Sequence, residues 1–264
     1  MAESFAMVKI LKDRRRLQMI SVVVQCQEKI KRALSTYWRD ESFVIDSEIV
    51  EENMLAGVVH SLPAAPIVNW DTQTEDFLKE YLLQTKKFIH QLITRTQRPS
   101  VCIVLSSCAV YGNQDSIIEE GHSIASNVWS AWIMEYEGLF TSLEQVGIRV
   151  VHIRCGVLLE EESVPSAYIY AGKKDDWISW VSMNDLCRFV DQSLRRVDIK
   201  GMFHLAHPNW VQKSACIQGK RMRALSLMRT FVQGDSIFSP SQRVASRRVK
   251  ELEFCFYVDE IVKI

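Results

Sequence analysis

Glycine and proline are scarce, at ten and six of 264 residues, and the first glycine is Gly57. So few breakers exclude a disordered or collagen-like chain. No C-x-x-C pair occurs among the seven cysteines (Cys26, Cys102, Cys108, Cys155, Cys187, Cys216, Cys255), which excludes a zinc knuckle or a thioredoxin-type dithiol. Their odd number and apolar settings, as in Val101-Cys102-Ile103-Val104, read as small buried thiols in a reducing, intracellular compartment. Net charge is also absent, with 32 basic against 32 acidic residues, so a globally basic nucleic-acid binder is excluded. No apolar run approaches the ~18–20 residues of a membrane span. The Arg14-Arg15-Arg16 run is diluted by Glu3 and Asp13 and no secretory h-region follows, so it favours a mitochondrial over a cytoplasmic location only slightly.

What is present is an apolar fraction of 47% in a pattern of short β-branched runs alternating with longer helical stretches. Met19–Val24, Ser42–Asp46, Gly57–Ser61, Val101–Ser106 and Arg149–Ile153 read as strands. Helices are expected over Glu28–Trp38, over Asp71–Arg95 with Phe77, Tyr81, Phe88 and Leu92 on one face, and over Ile124–Val146, ended by Gly147. Near-continuous apolar strands between helices predict a doubly wound α/β fold with a parallel Rossmann-type sheet. The second half predicts a strand at Trp177–Ser182, a helix at Asn184–Arg195, a strand at Met202–Ala206 and a short C-terminal helix. The expected division is a core of residues 1–158 and a smaller C-terminal α/β lobe of 159–264, packed on the carboxyl ends of the sheet.

Charge is segregated along this neutral chain. Arg39 to Glu80 carries ten acids against two bases, and Val211 to Lys250 carries nine bases against Asp235 alone. These are two solvated faces, or two segments in contact with each other, or a basic surface (211–250) that docks an acidic protein partner or an RNA backbone.

A doubly wound sheet binds its ligand at the carboxyl ends of the strands, and a dinucleotide needs glycines in the first βα turn. Here that turn reads Gln25-Cys26-Gln27-Glu28-Lys29-Ile30, with no glycine and with Glu28 where phosphate would lie. Asp46 falls about twenty residues on, where an acid would meet a ribose. Ser107 lacks a G-x-S-x-G context and reads as a strand-end serine. His204 and His207 are three apart without an accompanying carboxylate cluster, too few for a metal site.

Several stretches in order resemble the extended short-chain dehydrogenase/reductases. They are Ser106-Ser107-Cys108-Ala109-Val110-Tyr111-Gly112, Glu135-Tyr136-Glu137, Gly147 through Leu159, Trp180 through Leu186, Gly201 through Pro208, and Gln242 through Phe256. Within that superfamily the chain is most similar to the epimerase-like group of sugar-nucleotide epimerase and cell-division-inhibitor homologues. The resemblance implies a nicotinamide cofactor and a Tyr-x-x-x-Lys dyad, with a serine that orients substrate. Yet no lysine occurs between Lys87 and Lys173, so the helix bearing Tyr136 lacks the dyad's partner. Tyr170 and Lys174 have the spacing but lie beyond the last core strand. The family's Asn-Leu-Ala-Gly turn is His60-Ser61-Leu62-Pro63, its histidine before Asp-Leu is Ser182, and its glycine-rich loop is shortened to Glu160–Asp176.

Three functions follow. The first is a non-catalytic dehydrogenase-fold subunit, structural or docking, in a larger assembly with no resident cofactor. The second is an NADP(H)-dependent oxidoreductase or epimerase with an atypical site: Ser107 and Tyr136 catalytic, and a crevice of Gln25, Lys29, Asp46 and Ser106. The third is an RNA-associated scaffold.

Overall fold

The computed structural model describes residues 20–39, 43–46, 55–63, 72–159, 173–216 and 240–257. In chain order these form β1 (Ile20–Gln25), α1 (Glu28–Tyr37), β2 (Phe43–Asp46), β3 (Leu55–Ser61), α2 (Thr72–Thr94) and β4 (Val101–Ser107). A 3-10 turn (Cys108–Tyr111) leads to β5 (Ile117–Ile118), α3 (Val128–Leu139), α4 (Thr141–Gln145), β6 (Arg149–Cys155) and β7 (Val157–Leu158). Then come β8 (Trp177–Ile178), β9 (Trp180–Val181), α5 (Met183–Arg195), β10 (Gly201–Leu205), β11 (Val211–Gln212), α6 (Lys213–Cys216), β12 (Arg243–Val244) and α7 (Arg247–Glu251).

Six strands build one sheet in the order β10-β6-β4-β3-β1-β2, every pairing parallel. Side chains alternate along each strand, so β4 sends Cys102 and Val104 to one face and Val101, Ile103 and Leu105 to the other. The first face is covered by α2 and α3, through Leu78, Leu82, Leu92, Trp132 and Tyr136. The second is covered by α1 and α5, through Ile30, Leu34, Phe189 and Val190. With both faces buried, the strands must be apolar throughout, which is the pattern the sequence carries. Trp38 Nε1 donates to Asp191 Oδ1 at 3.0 Å and ties α1 to α5.

The chain runs from β1 outward to β2 and then back past β1 to β3, so the order reverses between β1 and β3. That reversal is where a doubly wound sheet opens its ligand crevice. A dinucleotide fold adds a third strand outside the second. Among the described residues none lies beyond β2.

Four expectations change in detail. Phe77 is 46% exposed, and the buried row of α2 is Leu78, Leu82, Thr85, Phe88, Ile89 and Leu92, with Tyr81 packed against it, so Phe88 and Leu92 lie where expected. The helix expected over 124–146 starts at Val128, because Asn127 caps it by accepting from Ser130 N at 2.8 Å, and it breaks at Phe140. The strand expected at Trp177–Ser182 divides at Ser179, whose hydroxyl donates to Gln242 O and accepts from Val244 N. Its two pieces then pair separately, β8 with β11 and β9 with β7. Finally, β10 and α5, both beyond residue 159, join the six-stranded sheet beside β6 and the cover of its second face. The expected C-terminal helix falls on 258–264, outside the described residues. No helix among the described residues is long and apolar enough to cross a membrane.

Candidate functional site

A crevice of about 150 Å³ opens at the carboxyl ends of β1, β3, β4 and β6, lined by Gln27, Lys29, Ser61, Pro63, Ser106 and Ser107 among others. It thus gathers Lys29, Ser106 and Ser107 of the expected residues. Gln25 ends β1 opposite His60, and Asp46 ends β2 opposite Val23. Tyr136 belongs to the apolar cluster under the α2–α3 face.

The turn after β1 is closed by Gln27. Its backbone N–H donates to Ser61 Oγ at 3.1 Å, and its side-chain amide donates to Leu62 O and Pro63 O at 3.3 and 3.4 Å. Its carbonyl accepts from the N–H groups of Ile30 and Lys31, which starts α1. The glutamine therefore laces the β1–α1 turn to the end of β3 across the switch point. Glycine in such a turn leaves room for a pyrophosphate against the backbone, whereas here a side chain takes that room. Glu28, expected to face the phosphate position, is exposed and pairs with Arg32 at 3.0 Å, so the closure is steric rather than electrostatic. The crevice is also below the ~300–1,000 Å³ usual for an organic ligand. As arranged, the turn does not fit the pyrophosphate of a nicotinamide dinucleotide.

Behind the crevice lies a buried polar chain. Ser106 Oγ donates to Glu137 Oε1 at 2.5 Å. Arg154 grips both oxygens of Glu137, Nε to Oε1 at 2.9 Å and Nη2 to Oε2 at 2.6 Å. Its Nη1 donates to Tyr111 Oη at 2.7 Å, and Tyr111 Oη lies 2.6 Å from His204 Nε2. His204 Nδ1 is 3.2 Å from Ala245 O, and a carbonyl only accepts, so Nδ1 carries the proton and Tyr111 donates to Nε2. Burial lowers the pKa of Arg154, but the hydrogen bonds and charge of Glu137 with the Tyr111 oxygen outweigh this, and the net shift is upward. Burial pushes Tyr111 up to about 12, with Arg154 opposing. His204 is lowered by burial. Glu120 accepts at Oε1 from the N–H groups of His204 and Arg248, while its buried Oε2 has no hydrogen-bond partner among the described residues.

Each candidate catalytic group has a partner within the fold. Ser106 is held as a donor to a carboxylate. Ser107 accepts from Ala109 N at 3.1 Å and caps the 3-10 turn. Tyr136 is fully buried, its hydroxyl 2.9 Å from His60 Nδ1 and its ring stacked on Trp132. Burial raises the Tyr136 pKa well above the ordinary phenol value and lowers His60 to about 3. Ser182 caps α5, accepting from Asp185 N and donating to Asp185 Oδ2. His207 stacks on Trp180 at 4.2 Å, and no group of three metal-ligating side chains occurs among the described residues. Tyr170 lies outside them.

The basic segment is partly internal. Lys213 is fully buried with its Nζ 3.0 Å from Asp176, and Arg243 lies over Trp177. Arg248 lies over Phe203 and donates to the carbonyls of Met202 and Lys200. Arg247 and Lys250 are exposed, and Lys220, Arg221, Arg223 and Arg229 fall outside the described residues.

No family model matches the chain. An Arabidopsis thaliana protein named a chloroplastic homologue of the epimerase family protein SDR39U1 is 24% identical over 240 residues, covering 81% of this chain and 69% of that one. The Bacillus subtilis epimerase family protein YfhF is 23% identical over 53% of this chain and 50% of its own, so the match spans about half its length. In three dimensions the chain is similar to the human epimerase family protein SDR39U1 (isoform 2), solved with NADPH: TM-score 0.72 and 14% identity, over 92% of this chain and 96% of that one. The chain is thus similar in sequence to proteins named as epimerase family members, and its parallel sheet has the fold of the human one.

Proposed function

We propose that the chain is a non-catalytic dehydrogenase-fold protein whose outer surface, rather than its crevice, does its work, as a structural or docking component of a larger assembly. The observation that carries this is Gln27, hydrogen-bonded across the switch point where a pyrophosphate would enter. Three further features support it. The sheet has no described strand beyond β2, Ser106 is bound to Glu137, and Tyr136 is sealed against His60 without a lysine on its helix. All seven cysteines are free thiols, which suits a reducing compartment. A protein partner is favoured over RNA, because Lys213, Arg243 and Arg248 of the basic segment are engaged within the fold.

A second function has its own support. The crevice still carries Lys29, Ser106 and Ser107 at the switch point, and the human relative was solved with NADPH, so an NADP(H)-linked oxidoreductase or epimerase is the alternative. Calorimetric titration of the folded chain with NADPH, with NADH as control, separates the two. No heat at millimolar nucleotide is the expected result. Saturable micromolar binding, with turnover lost in Ser107→Ala, overturns the non-catalytic assignment.

A further inference from the structure

A recess larger than the crevice lies away from it, beside β10. It holds about 680 Å³, within the range of organic-ligand sites, and is lined by the turn after β10, the 245–250 segment and the 254–256 tail. Trp210, Phe254 and Phe256 supply aromatic walls, Arg247 and Lys250 supply cations, and Glu119 supplies the one carboxylate.

The walls are fixed before any ligand arrives. Trp210 Nε1 donates to Val244 O at 2.8 Å. Phe254 meets Phe189 edge-on at 5.3 Å, and Phe256 meets both Phe254 and His207 edge-on. His207 is itself clamped on Trp180. A prearranged aromatic surface costs little ordering entropy on binding.

Neither cation is buried in the fold. Lys250 is exposed and has no ionic partner among the described residues, and Arg247 meets Glu251 only at 4.0 Å between exposed side chains. Two bases against Glu119 leave one net positive charge on an aromatic lining. Ring faces and edges select a flat apolar body, and the charge selects a single anionic group on it.

We propose that this recess is a binding site for a flat organic monoanion, an aromatic ring system bearing one carboxylate or sulfonate. The inference does not depend on whether the crevice holds a nucleotide.

Anilinonaphthalene sulfonate is the probe, titrated by fluorescence into the full chain, with the uncharged phenylnaphthylamine as the matched neutral ring. One saturable site is expected, weakened about tenfold by Arg247→Gln with Lys250→Gln, a shift of one decade in Kd. Both side chains are exposed, so the double variant keeps its fold, which circular dichroism verifies. The neutral probe should bind more weakly than the sulfonate to the unaltered chain and equally to both proteins. Equal sulfonate affinity in the two proteins, unsaturable binding, or displacement by NADPH would each overturn the proposal, the last by moving the dye to the crevice.

Discussion

Arg154 and Glu137 form a buried two-point pair, β6 to α3, with their side chains 2% and 6% exposed. Removing one member leaves an uncompensated charge in the core, so Glu137→Gln or Arg154→Met should each cost about 3–5 kcal/mol. The double variant Glu137→Leu with Arg154→Met should cost clearly less than the sum of the singles, since it strands neither charge. Urea unfolding of the three variants measures both quantities. Additive losses would mean the two side chains act independently.

The turn closure is testable by opening it. Gln27→Gly removes the side chain that reaches Leu62 and Pro63 and restores the residue type that pyrophosphate turns use. Two hydrogen bonds are lost, so stability should fall by about 1–3 kcal/mol. If Gln27 is what excludes nucleotide, NADPH affinity should rise about tenfold or more over the unaltered chain, the equivalent of a decade in Kd. Unchanged calorimetry would place the obstruction elsewhere.

Gly156 joins β6 to β7 under a tight contact. A Cβ there would lie 2.7 Å from Ser179 O, the carbonyl that accepts from Val157 N. The obstructing atoms, Ser179 O and C with Trp180 N, are all backbone, which cannot rotate away. Gly156→Ala should therefore destabilise by about 1–3 kcal/mol through overpacking. A thermal midpoint equal to that of the unaltered chain would show that the β7–β9 pair moves freely.

Sheet and helices were legible because apolar periodicity reports burial directly: Val22 to Val24 and Val101 to Leu105 are core on both faces, as runs without polar breaks require. Phe77 was misplaced because an aromatic at a plausible helical spacing carries no sign of which neighbouring stripe faces the sheet. Ser106 and Ser107 were found from position at a strand end, and Gln27 was missed because a glutamine in a turn has no distinctive spacing. Its partners Ser61, Leu62 and Pro63 are more than thirty positions away. A signal did exist for Arg154, a lone charge at the end of an apolar strand, since such a charge survives burial only in a pair. Glu137 gave none, because Glu135 two positions before it makes it look like one of two surface acids on a helix.

Buried neutral histidines make the fold sensitive to acid. Burial holds His60 at about 3, against 6.5 when exposed, and lowers His152 and His204 as well. The sign follows from proton uptake. Between those values the unfolded chain binds a proton that the folded chain does not, so protonation favours unfolding as pH falls. The contribution is fully present above the unfolded value of 6.5 and is lost progressively below it, down to about 3 for His60. Each such histidine removes up to about 1.4 kcal/mol per pH unit within its window. Urea midpoints measured from pH 7.5 to pH 4.5 should therefore fall, with the decline beginning near the unfolded histidine value. His60→Gln should make that decline shallower by about one proton's worth. The same slope in the variant and the unaltered chain would show that His60 charges without cost, and that the Tyr136 contact opens to water before the protein unfolds.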